Sequence, residues 1–201
     1  MTGKPVIYEE LSAVQVKEMI DGGMDMAIMP IGATEQHGPH LPLNVDTLIP
    51  DRMACDVSAE TGIPVFPSFA YGQSSSHAGF PGTLSLRPET FQKVVEEISE
   101  WAYDTGFRRL VFLNGNLPNH PPLTSAILNL RIKCPDFRLR VLNWWDITPE
   151  LSKRIMSDTT CGFPHGNVVE TSVMRYLRDD LVDMAQATAV GGGDGSVFFF
   201  Y

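Results

Sequence analysis

Helix-spaced apolar positions alternate along this chain with short continuous apolar runs. Ser12 and Gln15 have the spacing of a capping box and open a predicted helix that Gly22-Gly23 ends. Residues 24–31 form an apolar run with one Asp, the pattern of a strand covered on both faces. Asp46 or Thr47 can cap a helix running towards Glu60, provided that it starts late or tolerates Pro50 in its first turn. Residues 63–69 read as a strand that Pro64 and Pro67 make irregular or an edge. Pro88 opens an amphipathic helix through Phe91, Val94, Val95, Ile98, Trp101 and Ala102, closed by Gly106. A strand over 110–113, a helix over 123–132, a strand over 139–142 and a helix over 168–177 follow. This order predicts an α/β fold, a three-layer α/β/α domain whose sheet is largely parallel, with helices on both faces.

Neither a repeat nor a linker divides the 201 residues, so one domain over 1–201 is expected, with 43% hydrophobic residues to build its core. The end is unusual. Gly191-Gly192-Gly193-Asp194-Gly195-Ser196 leads into Val197-Phe198-Phe199-Phe200-Tyr201, an aromatic strand that must be buried, or else the chain continues beyond it. The glycine run has no Lys-Ser/Thr after it and reads as a turn before a strand, not as a phosphate cradle.

Charge narrows the partners. Fifteen Lys plus Arg against 24 Asp plus Glu give a net charge of −9, which argues against nucleic acid. No apolar run reaches the roughly 20 residues of a membrane span, and residues 1–10 lack the regions of a signal peptide. Cys55, Cys134 and Cys161 are odd in number and widely spaced, so a reduced, cytoplasmic protein is expected.

The chemistry concentrates in Glu35-Gln36-His37-Gly38-Pro39-His40-Leu41-Pro42-Leu43-Asn44-Val45-Asp46, just after the first strand. Alternate residues of an extended chain share a side, so Glu35 and His37 face one spot. Asp46 can return to it once Gly38, Pro39 and Pro42 have turned the chain. Mixed imidazole and carboxylate donors suit zinc, manganese or iron better than calcium; a polar loop that merely caps a helix is the plainer alternative. The five histidines, His37, His40, His77, His120 and His165, all sit in polar or Gly- and Pro-rich junctions, where α/β folds assemble sites.

Four such junctions occur in order: 35–46; 72–83, with His77 before Phe80-Pro81-Gly82-Thr83; Asn114-Gly115-Asn116-Leu117-Pro118-Asn119-His120; and His165-Gly166-Asn167-Val168-Val169-Glu170-Thr171-Ser172. Together they resemble the creatininase family, the creatinine amidohydrolases and their relatives, over most of the chain up to Leu177. The resemblance implies an α/β/α fold with a divalent metal centre, one or two ions per chain, that hydrolyses C–N bonds of cyclic or linear amides. It implies Glu35, His37 and Asp46 as metal ligands, Asp46 bridging, with His165 as proton shuttle and Glu170 as the carboxylate that closes the site and joins the ligands. It also implies a homo-oligomer, commonly a hexamer.

The third junction departs from the family pattern, which has a ligand His directly after Asn-Gly where this chain has Asn116. His120 could stand in, or could simply begin a helix. Asn116, His77 and Trp145 are candidate substrate contacts, and either Trp144 or Trp145 could stack on a planar ring or pack in the core. The alternatives to a hydrolase are a relative that binds a small molecule or partner without turnover, and a different Lewis-acid reaction such as isomerisation.

Overall fold

The computed structural model describes residues 3–147, 150 and 165–187; the glycine run and aromatic end lie outside them. The Ser12 capping box is made in full, and α1 (Ala13–Asp21) follows it. Strands β1 (Met26–Ile31), β2 (Arg109–Asn114) and β3 (Arg138–Asn143) lie side by side in that order, all parallel. The register sets Ile31 beside Asn114 and Asn114 beside Asn143, so the three strands finish level. Residues 63–69 run parallel to the other side of β1, bridging at Val65 and Phe69 only. Pro64 and Pro67 have no N–H to extend that ladder, and Val65 also bridges Ile7, a further parallel contact outwards.

Helices cover both faces. Alternate residues of β1, Ala27, Met29 and Ile31, pack with Leu110 and Phe112 against α3 (Pro88–Thr105) and α4 (His120–Lys133). Phe91, Phe107, Phe112 and Phe137 are fully enclosed there, each stabilising by roughly 1.5–3 kcal/mol. Ile28 and Leu113 point the other way, towards Ala54 of α2 (Val45–Thr61). α5 (Val168–Arg178) joins α2 on this face, where Met174 packs with Val45, Ile49 and Trp144. No helix among the described residues is long and apolar enough to cross a membrane.

Two helix starts differ from the sequence reading, each for a local reason. α2 begins at Val45, after Asn44, so Asp46 and Thr47 lie inside its first turn. Neither caps it: the Asp46 carboxylate faces His37, and the Thr47 hydroxyl donates to the Ala33 carbonyl at 3.0 Å. Pro50 therefore falls in the second turn, where it offers no N–H to the Asp46 carbonyl. α4 begins at His120 because Pro121 and Pro122 occupy the positions where a helix needs no N–H.

Candidate metal centre

The site forms where the strands end. Glu35 and His37 leave β1 on the loop that follows it, and Asp46 enters from the first turn of α2. Gly115, just past β2, allows α2 to come this close: a Cβ there would stand 1.8 Å from the Asp46 carbonyl oxygen. Gly32, just past β1, is equally confined, its Cβ position 2.5 Å from the same oxygen. α5 delivers Glu170 through a second capping box, in which Asn167 accepts from the Glu170 N–H and Glu170 Oε2 accepts from the Asn167 N–H at 3.1 Å. The spacing Asn-x-x-Glu is itself a sequence signal for that box. His165 precedes it, and Gly166, at φ 65°, crosses above the His37 carbonyl where a Cβ would meet it at 2.9 Å.

Among the described residues two sets of possible metal donors result, each with its ligand atoms within 4.8 Å of one another: Glu35, His37 and Asp46; and Glu35, His77 and His165. Glu35 is common to both. Glu35, His37 and Asp46 are almost wholly buried, and His77 nearly so. The histidine rings stack in a row, with centroids 4.0 Å apart for His37–His165 and 4.1 Å for His77–His165.

Hydrogen bonds define which nitrogen of each ring is available. His37 Nδ1 lies 3.1 Å from the Glu35 carbonyl, which can only accept, so Nδ1 carries the proton. Nε2 then faces Asp46 Oδ1 at 3.1 Å, donating to it when the ring is protonated and free to ligate an ion when the ring is neutral. His165 Nε2 donates to the next carbonyl, that of Gln36, and its Nδ1 faces Glu35 Oε1 at 3.5 Å. In both places an imidazole nitrogen meets a carboxylate oxygen, a contact that a proton satisfies in the metal-free protein and that a divalent ion could take over. Asp46 Oδ2 adds a buried oxygen without a hydrogen-bond partner among the described residues. The nitrogen and oxygen donors therefore fit a borderline divalent ion.

The metal-free electrostatics carry the same strain. Burial, together with the Asp46 charge, pushes Glu35 up to about 8. Burial opposes a charged His37, yet Asp46 outweighs it and lifts the ring to about 9. Burial and the neighbouring His37 depress His165 to about 3, so that ring is neutral. Glu170 is raised, chiefly by burial and by Asp46.

The other residues singled out in the sequence separate. Asn116 is buried, and its Nδ2 donates to Glu35 Oε2 at 3.3 Å and to the Gln73 carbonyl at 3.0 Å. His120 is exposed, lies 3.4 Å from Asn143 Oδ1, and belongs to neither donor set. Glu170 lines the same cavity but also lies outside both sets. Trp144 is buried beside Met174, whereas Trp145 lines the cavity. Trp145 also packs, partly buried, against the cluster that holds Trp144. His40 is a docking residue, its Nε2 2.9 Å from the Thr171 hydroxyl. The residue that sequence reasoning passed over is Gln36, whose side chain reaches His77 Nδ1 at 2.8 Å.

Above these groups opens a cavity of about 1000 Å³. Its wall is largely apolar, with Pro88, Leu117, Pro118, Pro121, Pro122 and Trp145, and its floor is Glu35, Asp46, His165 and Glu170. Floor and wall are what a site for a small organic molecule needs.

Comparison with known proteins gives the family and the fold. The family profile for creatinine amidohydrolase matches residues 9–196. The creatinine amidohydrolase of Pseudomonas putida is 35% identical over 195 residues, covering 90% of this chain and 75% of that one. The mycofactocin precursor peptide peptidase of Mycolicibacterium smegmatis is 39% identical over 169 residues; the match covers 77% of this chain but 59% of the peptidase. A crystal structure of creatinine amidohydrolase superposes with TM-score 0.85 at 33% identity, over 92% of this chain and 77% of that one. A manganese creatininase and a creatininase variant of Zn-Zn type, 31% and 32% identical, each superpose with TM-score 0.82. The first match covers 98% of this chain and 84% of the other, and the second 92% and 78%. On sequence and fold together, this chain belongs to the creatininase family of hydrolases.

Proposed function

We propose that this chain cleaves the C–N bond of a small cyclic or linear amide with the help of one divalent ion. The observation that carries the reading is the convergence of ligand atoms of Glu35, His37 and Asp46 within 4.8 Å of one another, with Asp46 Oδ2 unpartnered among the described residues on the floor of an open cavity. Glu35, His37 and Asp46 would hold the ion, with Glu170 as a further carboxylate. Zinc, manganese and iron all suit such donors, and creatininases with zinc and with manganese are among the similar structures. A bound divalent ion would lower the pKa of water towards about 7 and polarise the amide carbonyl.

The chain's own residues supply the rest. An amine leaves readily only if its nitrogen is protonated, and His165, neutral and beside Glu35, is placed to receive a proton and pass it on. Trp145 offers a face on which a planar amide can stack. One ion rather than two is supported by Asn116, which donates to Glu35 where the family pattern has a ligand histidine. The names of two relatives, a creatinine amidohydrolase and a precursor peptide peptidase, support amide substrates of the creatinine or peptide kind. A cytoplasmic homo-oligomer, folded as one domain over 1–201, is the form in which we expect the enzyme to work.

The test is metal content per chain, by elemental analysis of protein purified without chelator, beside Asp46→Ala. We expect about one equivalent in the parent protein, near loss of it in the variant, and amide hydrolysis reduced by more than about 10²-fold, since even outer partners of a metal cost 10–100-fold. A parent protein that takes up no ion on reconstitution would overturn the hydrolase reading and leave a relative that binds a small molecule without turnover.

A further inference from the structure

His77 stands within ligand distance of Glu35 and His165, so by position alone it is a metal donor. Its hydrogen bonds point elsewhere. The Gly38 N–H donates to Gln36 Oε1 at 2.9 Å. A backbone N–H can only donate, so that end of the Gln36 amide is oxygen and the other end is NH₂. The NH₂ lies 2.8 Å from His77 Nδ1 and can only donate to it. The Nδ1 lone pair is therefore occupied, and the neutral ring carries its proton on Nε2, 3.4 Å from Glu35 Oε1. A protonated nitrogen cannot ligate a metal.

We infer that His77 is a positioning residue, held by Gln36 in the tautomer that donates to Glu35, and not a metal ligand. Gln36 thereby sets two stacked rings in opposite senses. Its side chain directs an N–H of His77 at Glu35 Oε1, while its main-chain carbonyl holds His165 Nε2 and turns the Nδ1 lone pair towards the same oxygen. With Asn116 donating to Oε2, both Glu35 oxygens are oriented by neutral donors. Gln36 itself is fixed through its N–H, which donates to the Thr83 hydroxyl at 3.2 Å. This makes the Phe-Pro-Gly-Thr turn part of the same frame. The inference rests on the metal-site reading for its consequence in catalysis, but the tautomer stands on hydrogen bonding alone.

The experiment is a long-range ¹H–¹⁵N correlation spectrum of the imidazoles in the intact protein near neutral pH, the His77 signals being those absent from His77→Gln. The expected result is a neutral ring protonated on Nε2. In Gln36→Glu, whose ionised carboxylate can only accept, Nδ1 of His77 becomes protonated. His77→Gln, which retains an N–H donor, keeps the parent's metal content per chain and loses about 10–100-fold in kcat, less than His77→Ala loses. A parent ring protonated on Nδ1, or a His77→Gln protein that has lost metal in proportion to the substitution, overturns the inference. The parent spectrum needs no variant to fold beyond the one used for assignment. If the parent binds no metal at all, the metal-site reading fails and the spectrum still decides the tautomer.

Discussion

The two ends of the sheet handle charge in opposite ways. At the end where the strands begin, Asp25 accepts from the Arg109 Nε at 2.7 Å, its carbonyl accepts from the N–H groups of Arg108 and Arg109, and the pair is partly open to water. Each group there has a complementary partner. At the end where the strands finish, Glu35, Asp46 and Glu170 are buried together, imidazole nitrogens crowd against carboxylates, and among the described residues one Asp46 oxygen has no partner. Burying such groups costs free energy unless something compensates. A satisfied ion pair therefore marks scaffold, and an unsatisfied cluster under a cavity marks a place kept for a ligand.

His165→Ala should sharpen the contrast most among single changes that leave the ion in place. We expect kcat/KM to fall about 10²–10⁴-fold, the usual range for a general acid or base, with metal content unchanged; simultaneous loss of metal would make His165 a ligand instead. Gly115→Ala comes next. A Cβ 1.8 Å from the Asp46 carbonyl must push α2 from the sheet, costing about 3 kcal/mol in urea unfolding and weakening metal uptake as well. Normal uptake in that variant would break the link between the close approach and the site.

The third test uses pH on metal-free protein. Glu35 is raised from 4.5 to about 8 in the folded chain, so folded protein keeps a proton that the unfolded chain has lost. His37, raised from 6.5 to about 9, does the same. Both contributions to stability are present at low pH and are lost as pH rises, so between about 6.5 and 9 the metal-free protein should become steadily less stable in urea. A divalent ion should flatten or reverse that slope. The smallest effect belongs to the other edge: Asp25→Ala should cost no more than about 1 kcal/mol and leave metal content alone, and a large loss there would undo the comparison.

Most of this contrast was legible in the residues. The alternation of helix and strand periods carried the α/β/α layers, and α3 was plain because its apolar residues fall on one stripe beginning at Pro88. The starts of α2 and α4 were not, because Asn44 makes no side-chain cap and prolines stand inside both helices. The convergence of Glu35, His37 and Asp46 was legible because they share one motif and an extended chain repeats every second residue. Gln36 was missed because its part depends on where His77 and Gly38 end up in space, which spacing along the chain does not encode. For the same reason no pattern could assign Trp144 to the core and Trp145 to the cavity.

The paired glycines at the strand ends also limit how this molecule can be altered. Gly32 and Gly115 stand against one carbonyl, that of Asp46, and Pro50 is the residue that leaves this carbonyl without its helical donor. The depth of Asp46 in the site is thus gauged by the thickness of two bare backbones and a missing hydrogen. Anyone grafting this cluster onto another scaffold would have to carry over the two glycines and the proline as a spacer, because the ligands alone would arrive a methyl group too far apart.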